Sequence, residues 1–281
     1  MGNLYGLIGC PVEHSMSPNI HNDAFKERKL DGYYHAFHVE QDQLTESVKA
    51  LKTLGVKGFN VTIPHKLSII PLLDELHETA QIAGAVNTVI HKNGRLIGYN
   101  TDGNGYVRSL KDVVRKPLGE QKILLIGAGG AARGIYFTLT HQGCQHIDLC
   151  NRTVSKAEEL VQQCPFPNTS TSLSLTQAEQ QLGSYDIIIQ TTAVGLHPNI
   201  DQKPISLKHA KSTAVVSDII YNPIKTALLQ EAELLGLTVH TGVGMFVHQA
   251  ALAFELWTEQ KPSVEKMTAI VMDKLGGTKT C

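Results

Sequence analysis

The 281 residues carry 25 Lys+Arg against 26 Asp+Glu, a net charge of -1, with 42% hydrophobic and 18% charged residues. That composition is ordinary for a globular protein of one large or two medium domains. Near-neutral charge argues against nucleic-acid or anionic-membrane binding, since both need a basic face.

No apolar run is long enough to span a bilayer, and MGNLYGLIGC lacks the pattern of a secretory signal. The five cysteines, Cys10, Cys144, Cys150, Cys164 and Cys281, form no C-x-x-C pair and are odd in number. Free thiols in a reducing, cytoplasmic setting are therefore expected. The 13 histidines show no metal-binding spacing, so no metal is expected.

In chain order, LYGLIG reads as a strand, SPNIHNDAFKERK as a helix and YYHAFHV as a strand. DQLTESVKALKTLG has apolar residues at helical spacing and a closing glycine. GFNVTI is the next strand, with Phe59, Val61 and Ile63 expected to face the core. A helix is expected around IIPLLDEL, and AVNTVIHKNGRLIGYN reads as a hairpin turning at Asn93-Gly94. The alternation predicts an α/β domain with a largely parallel sheet. From KPLGEQ onward, Ile123–Ile126, HIDLC, YDIIIQ and TAVVSDII read as buried strands separated by helices, a doubly wound Rossmann-like domain. The tail from Phe246 to about Leu275 reads as helix with no strand to serve, so it is expected to return to the first domain. The expected boundaries are residues 1–103 plus 243–281 for the first domain and 104–242 for the second. The glycines of TGVGMF, where the chain recrosses, are read as a hinge or a ligand contact.

Gly127-Ala128-Gly129-Gly130-Ala131-Ala132 lies between a buried strand and a helical pattern. Gly127 would allow the tight turn, Gly129 the approach of a pyrophosphate, and Ala132 close helix–strand packing. The helix N-terminus would face the phosphates. At the tip of the next strand stand Asn151, Arg152 and Thr153, with Lys156 beyond, whereas Asp148 lies too early to take a ribose hydroxyl. A guanidinium suits a 2′-phosphate, so NADP is expected rather than NAD.

The first domain offers hydroxyls, amides, a lysine and an aspartate, most of them near strand ends or turns. Asn60 and Thr62 share one face of their strand, and Lys66 follows Pro64 at its end. Ser15 and Ser17 precede a helix, Ser17 being a good N-cap before Pro18. Asn87 falls in a strand, Asp102 in a Gly-rich turn, Tyr221 at a strand end and Gln249 near a helix start. This set suits a small polyhydroxylated substrate.

SMSPNIHN, NVTIPHK, GAVNT, NTDG, GAGGAAR, NRT, YNP and HQAALAFELW, in that order, resemble the motifs of the shikimate dehydrogenase family across nearly the whole chain. The resemblance implies reversible NADP-dependent oxidation of shikimate to 3-dehydroshikimate, run as a reduction in aromatic amino-acid biosynthesis. It implies that Lys66 is the acid/base and Asp102 its partner. Ser15, Ser17, Asn60, Thr62, Lys66, Asn87, Asp102, Tyr221 and Gln249 would then meet substrate. The cofactor would meet Gly127, Ala128, Gly129, Gly130, Ala131, Asn151, Arg152, Thr153, Lys156, Thr191, Ile219, Gly242 and Glu78. Gln190 departs from the family's usual asparagine. A homodimer follows only by family analogy. The alternatives are a quinate/shikimate dehydrogenase using NAD and a non-catalytic NADP-sensing module.

Overall fold

Strand β1 (Asn3–Gly9) opens a mixed sheet in the computed structural model, which describes residues 2–276. Cys281 lies outside them. The chain divides into two compact units. One comprises the chain up to Gly105 together with the chain from Val247 onward; the other is Tyr106–Phe246.

In the first unit, β1 pairs in parallel with β2 (Gly32–His38) and β3 (Gly58–Val61). Helices α1 (Ser17–Glu27) and α2 (Leu44–Thr53) precede β2 and β3. α1 buries Ile20, His21, Ala24 and Phe25, and α2 buries Leu44, Val48 and Leu51, one face of each helix. β4 (Glu75–Leu76), α3 (Glu78–Ala83), β5 (Thr88–Lys92) and β6 (Arg95–Tyr99) complete the unit's sheet in the order β2-β1-β3-β5-β6-β4. The β5–β6 hairpin turns at Asn93 (φ 53°) and Gly94 (φ 74°), the left-handed pair expected of Asn-Gly.

Two expectations need correction here. The sheet is mixed, because the hairpin makes β3–β5 and β5–β6 antiparallel. IIPLLDEL is not a helix but a short 3₁₀ turn, Ile70–Leu72, followed by β4. Pro71 withholds a backbone donor, and the Asp74 and His77 N–H groups donate instead to Leu96 and Gly98 carbonyls. The segment thereby becomes an edge strand, its apolar side chains packed against the core around Ile8, Phe59, Val61 and Val89.

The second unit begins within α4 (Asp102–Lys111) and contains β7 (Ile123–Ile126), α5 (Gly130–His141), β8 (Ile147–Cys150), α6 (Val154–Gln162), β9 (Ser172–Leu173), α7 (Leu175–Gln180), β10 (Ile187–Gln190), β11 (Val215–Asp218), α8 (Ala227–Leu234) and β12 (Thr238–His240). All its strand pairs are parallel, in the order β12-β11-β10-β7-β8-β9. The order reverses between β7 and β10, the switch point of a Rossmann-type sheet.

Helices α9 (Gly242–Thr258) and α10 (Val264–Lys274) carry the chain back to the first unit. Phe254 packs on Phe25 with ring centres 4.9 Å apart, and Trp257 lies 5.4 Å from the ring of Tyr5. The glycines of TGVGMF lie at the boundary of and inside the first turn of α9 rather than in a loop. No helix among the described residues is long and apolar enough to cross a membrane.

The Trp257 indole N–H donates to the Val89 carbonyl at 3.0 Å and lies against bare Gly58. A Cβ at Gly58 would run into the indole. Gly58→Ala is therefore expected to destabilise the protein by about 1–3 kcal/mol through overpacking. In urea, the unfolding midpoint should fall with an unchanged slope.

Candidate active site

β3 ends at Val61, and the Thr62 N–H donates to the Ile8 carbonyl as the chain leaves the sheet. Phe59 and Val61 are buried as expected, but Ile63 lies beyond the strand and is 71% exposed, which corrects its placement in the core. His65 is buried and its Nε2 lies 2.6 Å from the Val39 carbonyl, tying the loop to the end of β2. The Val86 N–H holds the carbonyl of Lys66. The loop backbone is thus anchored on both sides of the lysine.

Lys66 Nζ donates to Asp102 Oδ2 at 2.7 Å, and the two side chains keep 34% and 22% of their surface exposed. Asp102 is the first residue of α4, where the helix dipole favours a carboxylate. Its N–H donates to Asn100 Oδ1 at 3.0 Å, and its Oδ1 accepts from Asn87 Nδ2 at 2.8 Å. Both carboxylate oxygens are therefore engaged, one by a cation and one by an amide.

Behind this pair runs a buried polar network. Asn87 Nδ2 also donates to Thr101 Oγ1, while Asn87 Oδ1 accepts from the Thr101 N–H and the Thr88 hydroxyl, all at 2.8–2.9 Å. Asn60 Nδ2 donates to the Asn87 carbonyl and Thr88 Oγ1, and Asn60 Oδ1 accepts from the Tyr34 hydroxyl at 2.8 Å. Burial raises the Tyr34 pKa well above its ordinary value, which keeps that hydroxyl a donor. A fully satisfied buried network of this kind rigidifies what it supports. The amides of Asn60 and Asn87 face inward, so Asn60 does not stand beside Thr62 on an open polar face. Thr88, Thr101 and Tyr34 were not singled out in the sequence. The threonines could have been, because each follows an asparagine in an Asn-Thr dipeptide of the quoted motifs.

Ser15 and Ser17 also change places in the account. Ser17 is the first helical residue, the N-cap is Met16, and no side chain caps it there. Ser15 Oγ instead accepts from the Ser17 N–H at 3.3 Å, while Ser17 itself is buried. Glu78 lies exposed in the first turn of α3, and Gln249 lies in the middle of α9 with its backbone against Gly105.

In the second unit, Gly127 has φ +116°, and a Cβ there would sit 2.6 Å from Thr191 Oγ1. Both facts demand glycine. Thr191 Oγ1 donates to the Ile126 carbonyl at 2.7 Å, joining the ends of β7 and β10 at the switch point. Gly129 caps α5 with extended backbone, and a Cβ on Gly129 or Gly130 would meet nothing within 4 Å beyond its own chain neighbours and helix backbone. That open side, beside the N–H groups of a 12-residue helix, is where a pyrophosphate can approach. Ala128 and Ala131 complete the loop, and Ala132 is fully buried.

After β8, Asn151 Nδ2 donates to the Thr153 carbonyl at 2.8 Å and shapes the loop. Arg152, Thr153 and Lys156 are exposed there, and the Thr153 hydroxyl does not cap α6. Asp148 points elsewhere: it accepts from the Tyr185 hydroxyl at 2.8 Å and the Thr171 N–H at 2.9 Å. Gln190 is buried and holds Thr192 and Val194 through its amide, so the departing residue shapes the loop after β10. A Cβ on Gly242 would run into the backbone of half-buried Ile219. The Tyr221 ring lies 5.0 Å from that of Phe246, and burial raises its pKa. Asp218, buried at the end of β11, has its carboxyl pushed up to about 6 by desolvation.

The shikimate dehydrogenase (NADP(+)) of Bacillus licheniformis is 55% identical to this chain over 281 residues, covering 100% of both. The chain belongs to the shikimate dehydrogenase family. Its namesake from Bacillus subtilis is 54% identical over 99% of both chains. Family models match as well: the shikimate dehydrogenase substrate binding domain over residues 7–89, shikimate / quinate 5-dehydrogenase over 110–224 and the shikimate 5′-dehydrogenase C-terminal domain over 242–272. A crystal structure of shikimate 5-dehydrogenase from Thermus thermophilus in complex with NADP(H) and shikimate superposes with a TM-score of 0.87 at 31% identity, covering 97% of this chain and 100% of that one. The substrate binding model thus spans Lys66, the second model spans the glycine loop and most of the parallel sheet, and Asp102 lies between the two matches.

Proposed function

We propose that the protein is an NADP-dependent shikimate dehydrogenase, an oxidoreductase that interconverts 3-dehydroshikimate and shikimate in aromatic amino-acid biosynthesis. One observation carries the reading: a part-exposed Lys66–Asp102 pair at 2.7 Å, in a chain that matches NADP-dependent shikimate dehydrogenases end to end.

NADPH, when bound, supplies the hydride. Gly127, Ala128, Gly129, Gly130 and Ala131 would hold its pyrophosphate, and Asn151, Arg152, Thr153 and Lys156 its adenosine phosphate. Thr191, Ile219 and Gly242 offer backbone and hydroxyl groups near the switch point, and Glu78 a further contact. The residues present fit this group, since the glycine loop leaves room beside the α5 N–H groups and the β8 tip presents cations without an acid.

Ser15, Ser17, Thr62, Tyr221 and Gln249 offer donors and acceptors to the ring hydroxyls and carboxylate of the substrate. Asn60 and Asn87 hold Thr88, Thr101 and Asp102 in place behind the site. As the ring ketone is reduced, its oxygen gains negative charge. The Lys66 ammonium stabilises that charge and gives the oxygen a proton. Asp102, held by Asn87, keeps Nζ aimed and can accept from the adjacent hydroxyl. In the oxidation direction the proton returns to Lys66.

The test is spectrophotometric. Purified protein with shikimate should reduce NADP at a far higher kcat/KM than NAD, and quinate should be a poor substitute. No cofactor reduction by a folded sample would overturn the reading. By family analogy the reading extends to a homodimer in the cytoplasm, and light scattering measures the former.

A further inference from the structure

Among the described residues, one trio of metal-type ligands gathers within 4.8 Å: Cys10, His38 and Glu40. Cys10 Sγ lies 3.4 Å from His38 Nε2 and 3.3 Å from Glu40 Oε2, and His38 Nε2 lies 3.0 Å from Glu40 Oε1. A tetrahedral zinc ion with Zn–S of about 2.3 Å and Zn–N and Zn–O of about 2.0–2.2 Å sets ligand atoms roughly 3.3–3.6 Å apart. The sulfur and the imidazole nitrogen are already at that spacing, and the Glu40 carboxylate turns one oxygen to each of them, so a small rotation of that carboxylate brings a single oxygen into the third position.

The scaffold is fixed. β1 and β2 are paired neighbours, with Gly9 opposite His38, so Cys10 and His38 leave the sheet side by side. The Val39 N–H donates to the Gly9 carbonyl and the Cys10 N–H to the Ile63 carbonyl, both at 3.0 Å. Ligands on strand ends pinned in this way keep their positions better than ligands on a free loop.

The other ring nitrogen of the histidine is held too. His38 Nδ1 lies 2.7 Å from Glu13 Oε1, and Glu13 Oε2 accepts from the Val12 N–H at 3.1 Å. A carboxylate behind a histidine is the arrangement that orients a metal-bound imidazole and raises its basicity. The charges balance as well, since one thiolate and one carboxylate neutralise a divalent ion.

We propose that Cys10, His38 and Glu40 form a binding site for one thiophilic divalent cation of the zinc type, with Glu13 orienting His38. Three protein ligands leave the fourth position to water. On binding, the Cys10 S–H bond breaks as the S–metal bond forms, the proton passes to solvent, and no electron is transferred.

The test titrates the metal-free, full-length protein with Co²⁺ and then Zn²⁺. The expected result is one Co²⁺ per chain, a thiolate-to-cobalt charge-transfer band in the near ultraviolet, and displacement of the cobalt by Zn²⁺. Cys10→Ser should abolish the band. His38→Asn, a second route should the serine variant fold poorly, should weaken Zn²⁺ binding by about 100-fold or more, and Glu13→Gln by about 10–100-fold. Absence of the band from the wild type, or a band that survives in folded Cys10→Ser, overturns the proposal.

Discussion

Lys66→Ala should lower turnover by roughly 10²–10⁴-fold, about 3–5 kcal/mol of barrier, with little change in the KM for shikimate. The split between kcat and KM follows from where the ammonium acts. Charge accumulates on the ring oxygen only as the hydride arrives, so Lys66 contributes most in the transition state. Truncation leaves Asp102 Oδ2 without its cation, but this carboxylate keeps the Asn87 amide, the dipole of α4 and access to water. The variant should therefore fold normally, and its circular dichroism should match the parent. Lys66→Arg is the sharper control. It keeps the positive charge but does not readily release a proton. Arginine restoring most of the rate would show that fixed charge is what matters, whereas both variants staying equally slow would assign the proton to Lys66. Near-normal turnover in Lys66→Ala would remove this residue from the chemistry altogether.

What the sequence made legible was local. Asn93-Gly94 announces its hairpin because two consecutive left-handed residues are encoded in two adjacent letters. Gly127 announces its turn because a single positive φ there calls for the one residue without a Cβ. The Ile123–Ile126 run reads as a strand covered on both faces because its composition alone says so. The errors lie where a distant partner decides. Ile63 continues the alternation of β3, but β1 pairs with that strand only as far as Val61 and β5 only as far as Asn60, so the pattern outlives the strand. IIPLLDEL has helical spacing, yet β6 supplies carbonyls that draw its N–H groups into an edge strand. The side-chain network around Asn87 joins residues 34, 60, 88 and 101, a grouping that no spacing rule contains. The same holds for Cys10, His38 and Glu40. Their neighbourhood exists only because β1 and β2 pair in one particular register, so a scan for metal-binding spacing passes over it.

Arg152→Ala should raise the KM for NADP by about 10- to 100-fold while leaving that for NAD nearly unchanged. That range follows from losing hydrogen bonds to a charged group, worth about 1.5–3 kcal/mol, at about 1.4 kcal/mol per tenfold. Arg152 is exposed at the tip of β8 and the backbone of that loop is held by Asn151, so its removal should leave the fold intact. The only carboxylate on β8 cannot take over the ribose, because Asp148 is already held by Tyr185 and Thr171 inside the sheet's edge. For that reason Arg152→Ala should weaken NADP binding without creating an NAD enzyme. Arg152→Asp goes further. It places a carboxylate where the 2′-phosphate would sit, adding repulsion against NADP and an acceptor for the free 2′-hydroxyl of NAD. Its preference should shift toward NAD beyond that of the alanine variant. The effect should shrink as salt rises, since an exposed charge pair is screened. Lys156, one turn further on, is the residue that would remain to hold a 2′-phosphate. If Arg152→Ala leaves the NADP KM unchanged, discrimination between the cofactors rests on Lys156 and Thr153, and Lys156→Ala should then show the loss instead.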